Sequence, residues 1–218
     1  MVFSLLMNWF PFNSKVVILC DGSFPNHAVP LSVLTNAHEI ICCDGAADKL
    51  IEFGMEPTFI VGDIDSVSEE TKKNYAERIV LNTDQETNDQ TKAVEFVLSR
   101  GAKEVIILGA TGKREDHTIG NISLLLNYAE KLNVISISNS GIFRPVLYSQ
   151  SLPSFKRQQV SIFSLGIPAA ITSKNLKYPL KNTTLSSWWM GTLNECMGDS
   201  FSLEFATGKL IVFQKFDQ

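Results

Sequence analysis

Between Lys15 and Ser138 the chain alternates two textures. KVVILC, EIICCD, TFIVGD, RIVLN, EVIILG and NVISIS are short, nearly continuous apolar runs rich in Val and Ile. Between them lie LSVLTNA, GAADKLIEFG, SEETKKNYAER, NDQTKAVEFVLSRG and DHTIGNISLLLNYAEKL, which mix apolar and polar residues as helices do. Strands that are apolar on both faces belong to a sheet covered on both sides, and strand–helix alternation makes that sheet mostly parallel. Ser68 ahead of Glu69 and Glu70 marks one helix start, and Gly101 after Arg100 marks one helix end. The expected architecture is α/β, a mostly parallel sheet flanked by helices.

After Asn139 the pattern changes. FRPVLYS, QQVSIFSL, AAITS, LKYPL, SFSLEF and KLIVFQ are short strand candidates separated by Gly, Pro and Asn, with no long amphipathic helix among them. FATGKLIV reads as a hairpin. A small all-β sandwich or barrel is expected here, so the chain divides into an α/β domain over 1–139 and a β-domain over 140–218.

Composition narrows the function. The 218 residues carry a formal charge of −4 with Lys and Arg scattered, which leaves no footprint for nucleic acid or an anionic membrane. No run approaches the roughly 18 apolar residues that span a bilayer. The apolar start MVFSLLMNWFPF lacks a basic leader and a small-residue cleavage site, so it reads as a packed or frayed extension. Cys20, Cys42, Cys43 and Cys196 form no C-x-x-C pair, and three of them sit in or beside strand-like runs as small hydrophobes. The cytoplasm is the expected location.

Ligands of an open parallel sheet bind beyond the carboxyl ends of its strands. There the sequence places Asp44-Gly45 after IICC, Gly62-Asp63-Ile64-Asp65-Ser66 after FIV, Asp84-Gln85 after IVLN, and Gly109-Ala-Thr-Gly112 after VIIL. If 63–65 stays extended, Asp63 and Asp65 lie on one side, roughly 6–7 Å apart. A divalent cation between them would relieve their repulsion and present a phosphate chain. Asp89 and Lys92, three residues apart at a helix start, add a third carboxylate and a cation, or form an ordinary surface ion pair. GATGKREDH is neither a Walker loop nor G-x-G-x-x-G, yet it is a glycine turn between a buried strand and a helix, where free N–H groups favour anions. Arg114 adds a fork of donors, while Asp116 and His117 stand at the helix entry, where a plain cap and an exposed histidine are the ordinary alternatives.

Four blocks in order, CDGAADKL, VGDIDSV, DQETNDQTKA and GATGKREDHTIGN, together with NLKYPLKNTTL and GTLNE further on, resemble the thiamine pyrophosphokinase family over nearly the whole length. That family transfers pyrophosphate from ATP to the hydroxyl of thiamine and releases AMP. The resemblance implies that Asp63, Asp65 and Asp89 hold Mg²⁺ and the triphosphate, with Lys92 helping to neutralise charge. It implies that Asp44, Gly45, Gly109, Gly112, Arg114, Asp116 and His117 line the nucleotide side. Gln85 and the 186–195 segment, including Trp188 and Asn194, would approach thiamine, in a pocket shared by the two chains of a homodimer. Two departures stand out: Asn88 where the family has Thr, and Leu193 where it often has Ser. Rival readings of D-x-D alone are a metal-dependent nucleotide-sugar or nucleotidyl transferase, and a module that binds Mg·ATP without turnover.

Overall fold

The computed structural model describes residues 15–166 and 170–216; the expected extension at 1–12 falls outside them. Six parallel strands form its first half: β1 (Val16–Leu19), β2 (Glu39–Cys43), β3 (Phe59–Gly62), β4 (Ile79–Leu81), β5 (Glu104–Leu108) and β6 (Asn133–Ile137). Between them run α1 (Ala28–Thr35), α2 (Ala46–Glu52), α3 (Glu69–Asn74), α4 (Asp89–Ser99) and α5 (Glu115–Ala129). The order β6-β5-β1-β2-β3-β4 reverses direction at β1, a switch point of the kind that opens a crevice at the carboxyl edge. Leu19, Cys42 and Leu108 pack in one core, while Ile18, Cys43 and Ile107 pack in another on the opposite face. This accounts for the continuous apolar runs, because every position of a central strand after its first is buried.

The second half is antiparallel: β7 (Gly141–Val146), β8 (Gln150–Pro153), β9 (Gln159–Ser164), β10 (Ala170–Lys174), β11 (Thr183–Thr184), β12 (Asn194–Glu195), β13 (Ser200–Glu204) and β14 (Leu210–Lys215). β7 pairs with β6, so β7, β14, β9 and β12 prolong the parallel sheet into one of ten strands. The remaining four, in order β11-β10-β13-β8, form a second layer. Val146, Leu152, Ile162, Ile171, Phe201, Leu203 and Val212 share the core between the layers, which is a sandwich and not a barrel.

Two local expectations fail. FATGKLIV is not a hairpin, because β13 pairs with β8 and β10 whereas β14 pairs with β7 and β9, so this segment crosses between layers. Alternating burial suits either layer equally, and nothing local names the partner strand. LKYPL forms no strand; Leu176 makes a single bridge to Cys196.

Candidate functional site

Ends of β1, β2 and β3, the turn after β5 and the first turns of α4 and α5 enclose a cleft of about 500 Å³. The tripeptide Cys-Asp-Gly occurs twice on its floor, as Cys20-Asp21-Gly22 after β1 and Cys43-Asp44-Gly45 at the end of β2. Gly22 N–H donates to Gly109 O at 2.7 Å, joining the β1 end to the turn after β5. Gly109 has φ +67°, and a Cβ there would lie 2.4 Å from Cys20 O, so only glycine fits this approach.

Three carboxylates meet at the acidic wall. One oxygen each from Asp44, Asp63 and Asp65 lies within 4.8 Å of the other two. The expected extended D-x-D is not what brings them together. β3 ends at Gly62, and Ile64 adopts φ +67°, turning the chain left-handed so that Asp63 Oδ1 accepts from Asp65 N–H at 3.4 Å. A β-branched residue in this region is strained by about 1–3 kcal/mol, and burial of the Ile64 side chain in the core offsets it. Asp44 also has positive φ, at +46°. Burial, then a hydrogen bond with Asp65 and the negative charges of Asp89 and Asp65, push its carboxyl up to about 6. Asp65 is held below the usual range, first by the Ser66 hydroxyl and then by Asp44. Asp44 Oδ1 is buried without a hydrogen-bond partner among the described residues. A hard divalent cation suits both the all-oxygen donor set and the orphaned oxygen.

Asp89 stands apart from this trio. Its Oδ1 accepts from the buried Lys92 Nζ at 3.0 Å, so the pair forms as the spacing predicts, inside the cleft wall and not on the surface. Asp89 Oδ1 and Asp44 Cβ flank Gly62, where a Cβ would come within 3.4 and 3.3 Å of them. Asn88 caps α4 by accepting from Thr91 N–H at 2.9 Å and donates to Asn121 Oδ1, so the departure from Thr keeps the cap and ties α4 to α5. Gln85 lines the cleft and donates to Asp63 Oδ2 at 3.4 Å.

Basic groups face the acids across the cleft. Arg114 grips Asp116 through two hydrogen bonds of 3.1 and 2.5 Å, which holds the Asp116 carboxyl down to about 2. Asp116 is thus the arginine's partner, and its backbone neighbour His117 lines the cleft. Gly45, Arg114 and His117 line the cleft, whereas Gly112 shapes the turn beside it with Ser23 donating to its carbonyl. Asp21, Lys49 and Lys113 escaped the sequence reading. Asp21 bridges Lys49 at 2.5 Å and Lys113 at 2.9 Å, fixing the second lysine at the mouth. The signal was present: Asp21-Gly22 follows VILC as Asp44-Gly45 follows IICC.

Trp188 and Asn194 are not brought to this cleft. Trp188 lies in a 3₁₀ turn, Trp188–Gly191, and lines a separate apolar hollow of about 150 Å³ with Ile119, Ile122, Phe143, Phe163 and Leu165. Asn194 is buried and spends both amide atoms on the Tyr178 backbone.

Residues 31–136 match the family model "Thiamin pyrophosphokinase, catalytic domain" and residues 141–213 match "Thiamin pyrophosphokinase, substrate-binding domain". A thiamine pyrophosphokinase of Bacillus subtilis is 31% identical over 215 residues, covering 93% of this chain and 100% of the relative. The crystal structure of thiamine pyrophosphokinase from Bacillus subtilis superposes with TM-score 0.78 at 23% identity, covering 93% of this chain and 100% of that one. Thiamin pyrophosphokinase from Candida albicans gives TM-score 0.79 at 20% identity, covering 93% and 90%. At those identities the superpositions speak for the fold.

Proposed function

The chain belongs to the thiamine pyrophosphokinase family, and from that premise we propose that its cleft transfers the pyrophosphoryl group of ATP to the hydroxyl of thiamine, giving thiamine diphosphate and AMP. The carrying observation is the convergence of Asp44, Asp63 and Asp65, two of which line the same cleft as Lys113 and Arg114. That arrangement suits a phosphate chain bridged to carboxylates by a cation. Asp44, Asp63 and Asp65 would hold Mg²⁺, with Asp89 beside them; the ion, when bound, neutralises phosphate charge. The nucleotide-sugar transferase and binding-only readings explain D-x-D but not the two matched domains.

The protein's own groups supply position and charge. Lys113, held by Asp21, and Arg114, held by Asp116, present cations to the nucleotide phosphates, and the N–H groups of the turn after β5 add dipoles. Thiamine's hydroxyl oxygen attacks the β-phosphorus in line. As that bond forms, the bond from the β-phosphorus to the oxygen bridging to the α-phosphate breaks, and AMP departs with the electron pair. Asp89 takes the hydroxyl proton: it faces the cleft outside the trio, and Lys92 keeps its carboxylate oriented. Gln85 would touch thiamine on the Asp63 side. Trp188, with the exposed Trp189 and Leu193, would complete the thiamine pocket across a homodimer contact. Asn194 supports that segment from behind through Tyr178. ATP as co-substrate and four free cysteines suit the cytoplasm. The described helices include none long and apolar enough to cross a membrane.

Incubation with Mg·ATP and thiamine, followed by oxidation to a fluorescent derivative, tests the reading. Thiamine diphosphate and AMP in equal amounts are expected. ATP left intact, or a nucleoside diphosphate in place of AMP, refutes it.

A further inference from the structure

The doubled Cys-Asp-Gly step leaves two thiols that pyrophosphoryl transfer does not use. β1 and β2 are parallel with Leu19 beside Cys42, so Cys20 and Cys43 come next in register, and their sulfurs lie 3.8 Å apart. Both are buried, yet both line the cleft floor. Cys42 packs in the core on the opposite face of the sheet, and Cys196 belongs to the sandwich. Oxygen donors surround the pair: Gln90 Oε1 is 3.6 Å from Cys20 Sγ, and the Asp89 carbonyl oxygen is 3.5 Å from Cys43 Sγ.

A tetrahedral ion bound at about 2.3 Å to each of two thiolates holds their sulfurs about 3.8 Å apart. The two strands therefore preset a chelating bite without backbone movement. A disulfide would require the sulfurs to close to about 2.0 Å. We infer that Cys20 and Cys43 form a binding site for a soft divalent cation of the Zn²⁺ or Cd²⁺ class in the floor of the cleft, with an oxygen of Gln90 or Asp89 and solvent completing its shell. Each thiol gives its proton to solvent as its metal–sulfur bond forms. Sulfur ligands separate this site from the carboxylate trio by softness, so a large excess of Mg²⁺ does not compete for it.

The test titrates the intact protein with Cd²⁺ at saturating Mg²⁺ and follows the ultraviolet thiolate-to-cadmium charge-transfer band. No turnover is involved, so the outcome is independent of the catalytic assignment. A band that saturates at a single Cd²⁺ per chain is expected in the unaltered protein. Cys20→Ser and Cys43→Ser should each weaken binding about tenfold or more, while Cys42→Ser and Cys196→Ser leave it unchanged. Absence of the band in the unaltered protein overturns the inference whether or not the variants fold. So does a band that persists in the folded Cys20→Ser/Cys43→Ser double variant.

Discussion

Burial and the neighbouring acids Asp65 and Asp89 lift the Asp44 carboxyl from 3.8 to about 6, and this makes stability depend on pH in a definite direction. Between those values the folded chain binds more protons than the unfolded one, so unfolding free energy falls as pH rises through that window. In metal-free protein the melting temperature should therefore decline from about pH 4 to about pH 6 and then level. Asp44→Asn should flatten that slope and raise the metal-free melting temperature at neutral pH, and Mg²⁺ should abolish the slope in the parent. A scan of melting temperature against pH with and without Mg²⁺ reads all three. Asp63→Asn, by contrast, removes a half-buried acid from the trio. Its kcat should fall at least about 100-fold, while its unfolding free energy in urea titration changes by no more than about 1 kcal/mol. Retained turnover would free Asp63 of its role. That Asp63 clusters with Asp65 and lines one cleft with Asp89 and Arg114 was legible, because acids and glycines follow successive strands of a parallel sheet. Asp44's place in the trio was not legible, because it depends on a left-handed Ile64 that no propensity predicts.

α4 shows how a departure from a family pattern is absorbed within one element. Asn88 caps the helix and ties it to Asn121, and Asp89 in the first turn faces the positive end of the helix dipole. Asn88→Thr should keep the cap, whereas Asn88→Ala should lose about 1 kcal/mol of stability in urea titration and lower kcat, because Asp89 and Lys92 ride on that turn. Equal behaviour of the two variants would show the cap to be dispensable. The parallel strands were readable because burial on both faces writes itself into the sequence as unbroken Val, Ile and Cys. The sandwich was less readable: β8 was missed, LKYPL was over-read, and the two halves of FATGKLIV went to different layers. Half-buried strands carry an alternation that fixes a face but not a partner.

Across the whole molecule, exposed apolar side chains occur in several places, and one group of them lies on and beside the 3₁₀ turn. Trp188, Trp189, Met190 and Leu193 are exposed there, and Ile119 of α5 lies on the same apolar hollow as Trp188. Trp189, 75% accessible, stands next in sequence to Trp188 and Met190, and an apolar group of this kind marks a contact surface. A two-fold pairing that covers this region predicts that Trp189→Asp shifts sedimentation from dimer to monomer and raises the KM for thiamine more than that for ATP. A parent protein that sediments as a monomer at micromolar concentration would remove the pairing. β14, the last of the described strands, is hydrogen-bonded between β7 and β9 in the middle of the antiparallel half. A chain still emerging from the ribosome therefore leaves β7 and β9 each with an unsatisfied edge until β14 has been made. A product cut short before β14 should aggregate instead of giving a trimmed, working protein.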